Sequence, residues 1–98
     1  WEPGRLPEGF VLTARVVRRL PGADLPVEHL VYSDGLAVVS VFIEPVTDSS
    51  GPAAIDGLSR MGAVHAFGKV IDGHRVTVIG ETPAATVAMI GESMARRP

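Results

Sequence analysis

The sequence predicts an α+β domain: an antiparallel sheet of about five strands with one C-terminal helix packed on one face. Three observations carry this prediction. Asp34-Gly35 and Asp72-Gly73 each stand between two apolar runs, as two-residue hairpin turns do. After Thr82-Pro83, apolar residues recur at intervals of three and four, which is a helical stripe. The chain has 98 residues, 46% hydrophobic and 20% charged, enough for one core and too few for two.

Taken in order, residues 1–9, "WEPGRLPEG", carry two prolines and two glycines and predict an extended entry segment or linker. Residues 10–98 are then the domain. From Phe10 the chain alternates, with Phe10, Leu12, Ala14 and Val16 on one side and Thr13, Arg15 and Arg19 on the other. Period two with an arginine-bearing outer side predicts a half-buried strand. "PGADLP" ends it by turn chemistry.

Val27–Ser33 and Leu36–Glu44 predict the first hairpin, Ala63–Ile71 and His74–Gly80 the second. In the second, Ile71 faces His74, Lys69 faces Val76 and Phe67 faces Val78. One side then holds Phe67, Val76 and Val78, the other Arg75 and Thr77. Between the hairpins, "PVTDSSGPAAIDGLSRM" is long for an unstructured connection. It is either a mobile loop or a short helical turn near Ala53–Leu58. For the final helix, Thr82 is the expected N-cap and Pro83 the first helical residue. Val87, Ile90 and Met94 form its apolar stripe, and Arg96 and Arg97 suit its C-terminal end. Gly91 costs such a helix up to ~1 kcal/mol unless close packing requires it.

Composition and motifs argue against most chemistry. A net charge of −2 gives no basic footprint for nucleic acid. Without cysteine there is no thiol catalysis, disulfide or cysteine-bound zinc. His65 and His74 lie about 20 Å apart along the second hairpin, too far to share a metal. His29, Ser33 and Asp34 hold the residue types of a hydrolase triad, but Ser33 and Asp34 are turn neighbours without a nucleophile elbow. The expectation is a non-enzyme with no cofactor. Arg15, Arg19 and Arg75 could form an anion-attracting face if the strand order brings them together. A lipid- or glycolipid-binding module is the alternative function this would serve.

The returning arm of the first hairpin poses the sharper question. Leu36, Val38 and Phe42 lie on one of its sides, and Ala37, Val39, Val41 and Ile43 on the other. Both are apolar, so both need cover, and one helix supplies only one. Either the loop that follows shields the second side, or that side docks onto another domain or protein. Ala37, Val39, Val41 and Ile43 are the expected docking face.

The stretches "LPEGF" (6–10), "VYSDGLAVVSVFIEP" (31–45), "MGAVHAFG" (61–68) and "VTVIGETPAATVAMIGESM" (76–94) together resemble the C-terminal domain of the MucB/RseB family. That resemblance implies a two-domain parent with a lipoprotein-carrier-like N-terminal half, located in the periplasm. It also implies a negative regulator of an envelope-stress sigma factor. The implied partner is the periplasmic segment of a membrane-spanning anti-sigma factor of the RseA/MucA kind, protected while bound from site-1 proteolysis. Lipid or lipopolysaccharide signals would act through the full-length protein. The resemblance fixes no binding residues.

Overall fold

A computed structural model of the chain describes residues 1–19, 26–46 and 56–96. The chain runs β1 (Glu2–Pro3), β2 (Val11–Arg18), β3 (Val27–Ser33), β4 (Val38–Pro45), β5 (Gly57–Met61), β6 (Val64–Ile71), β7 (His74–Gly80), α1 (Ala84–Ser93) and β8 (Met94–Ala95). Six strands form one antiparallel sheet in the order β2-β3-β4-β7-β6-β5, and β1 pairs with β8 in a separate two-stranded ribbon. The α+β class and the C-terminal helix are as the sequence predicts.

The second hairpin has the predicted register, with Phe67 opposite Val78, Lys69 opposite Val76 and Ile71 opposite His74. Asp72 and Gly73 both adopt positive φ, 49° and 71°, as a two-residue turn that follows the sheet's twist requires. The first hairpin turns differently. Its closing pair is Ser33 with Val38, leaving a four-residue loop over 34–37 in place of the expected two-residue turn. The Asp34 carboxylate accepts from the Leu36 and Ala37 N–H groups at 2.9 and 2.8 Å, and the Ser33 hydroxyl accepts from Gly35 at 3.0 Å. Side chains that satisfy the loop's own backbone make the longer turn stable.

Three further expectations need correction. Gly57–Met61, placed in the long connection, is strand β5, paired with β6 across Gly62-Ala63. Glycine, serine and arginine hide it, because an edge strand exposed along its length needs no apolar alternation. The helical turn foreseen near Ala53–Leu58 has residues 53–55 outside the described residues, and Leu58 is strand. Residues 1–9 are part of the fold and not a linker. Pro3 pairs with Met94 and Glu2 with Ala95, while the Gly4 N–H donates to the Ser93 carbonyl at 2.7 Å. Trp1, Leu6 and Phe10 pack against the core, so this proline-rich segment is held by apolar burial rather than by ladder length.

The helix begins one residue later than predicted. Pro83 is its N-cap and makes no side-chain cap, and Thr82 is buried with its hydroxyl unpartnered among the described residues. The His65 ring instead fixes the junction. Its Nδ1 lies 2.7 Å from the Thr82 carbonyl, which can only accept, so the proton is on Nδ1. Val87 and Ile90 are fully buried, and Met94, just past the helix, joins them. Arg96 lies outside the helix and Arg97 outside the described residues.

Gly91 explains how closely the helix sits. A Cβ added there would overlap the Phe67 ring, with Cε2 only 2.8 Å away. Helix propensity favours alanine by up to ~1 kcal/mol, but forcing a methyl into a packed core costs about 1–3 kcal/mol. The clash wins. Gly91→Ala is expected to lower the thermal midpoint by roughly 4–8 °C for each kcal/mol lost. Adding Phe67→Leu should cost less than the two single changes summed, because both act on one contact; calorimetry of the four variants reads the difference.

Candidate docking face

Pairing across the sheet fixes which side chains share a face, since antiparallel partners point the same way. One row runs Leu30, Val41, Val78, Phe67; another runs Tyr32, Val39, Gly80, His65. The helix lies on this face, over β6 and β7, and Trp1, Leu6 and Phe10 close it from the side. Val39 and Val41 are 0% exposed and Ile43 2%. Three of the four residues expected to dock a partner are thus the centre of the core, and Ala37 sits in the turn. The alternation itself is as read; the helix covers the other set.

The opposite face has no element on it among the described residues. Its rows are Ala14, Val31, Ser40, Ile79, Ala66 and Val16, His29, Phe42, Thr77, Gly68. Val11, Val38, Met61 and Val70 extend it, all exposed, with Val38 at 54%. Phe42, Val31 and Ile79 are half-buried. The His29 and Phe42 rings stack at 4.4 Å, so even the histidine contributes a flat, largely apolar surface. Ala66 and Gly68, at the β6 end of these rows, are buried, so the exposure of this face is greatest toward β2. The hairpin Val31 and Ile79 lie on the side that strand alternation alone reads as polar. Only the register of β4 against β7 ties them to Phe42.

At one end of this face the loop over 34–37 presents Leu36, 97% exposed, on a turn tied by the hydrogen bonds described above. Those N–H groups, Ala37 first and Leu36 second, favour the ionised carboxylate and hold the Asp34 pKa below its usual 3.8. Because the folded pKa is the lower one, the carboxylate's support is complete above 3.8 and is lost as pH falls through the folded value.

The arginines do not assemble. A bulge at Thr13 shifts the register, so Arg15 pairs with Leu30 on the covered face, where its Nε lies 3.4 Å from Glu28 and its Nη2 donates to the Trp1 carbonyl. Arg75 pairs with Glu44 on the open face. β2 and β7 are three strand spacings apart, roughly 14 Å, and Arg19 lies beyond the end of β2. The anion face expected of Arg15, Arg19 and Arg75 is divided between two sides of the sheet. Ser33 and His29 are four residues apart on β3, roughly 13 Å, which dismisses the triad.

On the covered face, beyond the helix, a cleft of about 360 Å³ opens between Trp1, Val17, Glu28, Ile43, His74 and Arg96. Among the described residues, no group of three or more histidines, aspartates or glutamates converges to hold a metal. Glu28, His74 and Arg96 are the ionisable side chains of that cleft.

An NMR titration is expected to place the Asp34 carboxyl midpoint below 3.8. Below that pH the Leu36 and Ala37 amide resonances should move together with it. In Asp34→Asn, which keeps the acceptor oxygen but not the charge, those amides should stay still over the same range.

The profile described as the MucB/RseB C-terminal domain matches residues 1–95. The chain is 39% identical to the sigma factor AlgU regulatory protein MucB of Pseudomonas aeruginosa, an alignment covering 96% of this chain and 30% of that protein. It is 35% identical to the sigma-E factor regulatory protein RseB of Salmonella typhimurium, over 96% of this chain and 29% of that protein. A crystal structure of MucB in complex with the periplasmic part of MucA superposes with a TM-score of 0.71 at 37% identity, over 93% of this chain and 34% of that one. The chain therefore spans about three tenths of the length of these relatives. With its whole fold and nearly its whole length accounted for in this way, the chain belongs to the MucB/RseB family and corresponds to its C-terminal domain.

Proposed function

We propose that this domain is a non-enzymatic, periplasmic regulatory module that binds the periplasmic segment of a membrane-spanning anti-sigma factor. Bound there, it denies the site-1 protease its cleavage site and so keeps an envelope-stress sigma factor restrained. The observation that carries the reading is the face around Val31, Phe42 and Ile79, which no element among the described residues covers. Occlusion needs area and complementarity, not chemistry. Six strands at ~4.8 Å spacing and about eight residues at ~3.3 Å each give on the order of 600 Å² in projection, comparable with the roughly 800 Å² per partner of a standard interface. The family and the MucB–MucA complex support the choice of partner. In a longer parent, a carrier-like half would precede Trp1, and lipid signals would enter through that half.

Titration of the isotopically labelled domain, alone and with its preceding half, with the periplasmic part of MucA tests the assignment. Amide shifts are expected to gather on Val31, Phe42 and Ile79. Phe42→Glu should weaken binding at least about tenfold, since a charge would be buried in an apolar interface, while circular dichroism stays unchanged. Silence in both preparations would remove the partner. Shifts confined to the helix side would remove the face.

A further inference from the structure

β2 is the anomaly in this sheet. It is eight residues long, and every one of them is exposed. Four are large and apolar, among them Val16 at 40% and Val17 at 62%. Its inner edge pairs with β3 from Val11 to Arg18, and among the described residues no strand pairs with its outer edge, which leaves a row of N–H and C=O groups there without a ladder partner. Strand edges that must stay unpaired are usually short, bulged, broken by proline or charged; β2 has its bulge at Thr13 and Arg15 on the covered face, yet it keeps its length beyond them. β2 contains no proline, and its bulge at Thr13 leaves Ala14–Arg18 as an uninterrupted ladder. The sheet ends here although its apolar surface does not.

Charge selects what can be added. Residues 11–19 hold Arg15, Arg18 and Arg19 and no acid, a local +3 in a chain of net charge −2. Arg15 is drawn away to Glu28 and the Trp1 carbonyl. Arg18 and Arg19 make no ion pair among the described residues and stand at the open end of the ladder. A second copy of the chain would bring a second basic edge against the first, a repulsive match. A strand bearing carboxylates would meet charge of the opposite sign at the same places.

We infer that the outer edge of β2 receives an extended, acidic polypeptide segment as a seventh strand of the sheet. Main-chain hydrogen bonds to β2 would supply affinity. Alternate side chains of the incoming strand would lie beside Val16 on the open face and Val17 on the covered one. Arg18 and Arg19 select carboxylates at its end. The inference stands on the strand edge and its charge, apart from the identity of the regulatory partner.

Two synthetic decapeptides, one alternating glutamate with valine and one alternating lysine with valine, test it against the labelled domain by amide shifts and hydrogen exchange. The glutamate peptide is expected to shift and protect amides within Val11–Arg18, to leave β5 unprotected at the opposite edge, and to bind several-fold more weakly at 0.5 M salt. The double variant Arg18→Glu with Arg19→Glu, both fully outside the core, should lose binding of the glutamate peptide by at least about fivefold and gain binding of the lysine peptide. Equal binding of both peptides, protection elsewhere than β2, absence of binding by the glutamate peptide, or indifference to the double variant would each overturn it.

Discussion

The pairing of β4 with β7 is the interaction on which the rest of this molecule depends. It joins two hairpins that are each local in sequence into one sheet, across the 28 residues, 46–73, that separate β4 from β7 in sequence. Through it, Val41 stands beside Val78 and Ile43 beside Val76, and those four valines and isoleucines become the floor on which the helix sits. Shift that ladder by one residue and every side chain of one hairpin would change face relative to the other. The helix would then have no continuous apolar surface to cover.

Once that register is set, the division of labour between the two faces follows. The helix approaches closely because Gly91 lets Phe67 lie against its backbone, and the leading segment fills what the helix leaves open. Among the described residues, cover comes from one helix and one short ribbon, on one side of the six-stranded sheet. The other side keeps Val31, Phe42 and Ile79 at the surface. Under the function proposed above, a partner would meet that face and remove its apolar surface from water.

Several elements were readable from local chemistry because local chemistry decides them. Asp72-Gly73 sets a two-residue turn through backbone preference, and Val87, Ile90 and Met94 mark the helix by their spacing. Other elements escaped for equally physical reasons. β5 has no alternation because it is an edge strand with four of its five residues exposed, and Asp34 lengthened its turn by hydrogen bonding to the loop it begins. The leading segment reads as a linker by its prolines and glycines, yet Trp1 and Leu6 hold it to the core, a contact made with residues some ninety positions away.

The chain by itself determined the strand and helix types, the family, and the fact that the arm from Val38 to Pro45 is apolar on both sides. Which of those sides is core and which is surface was decided only by tertiary structure. Period-two alternation is symmetric: it separates the residues into two sets without saying which set the helix will cover. A single bulge at Thr13 moved Arg15 to the covered face in the same way. Register between distant strands is a property of the assembled sheet, and no stretch of sequence contains it.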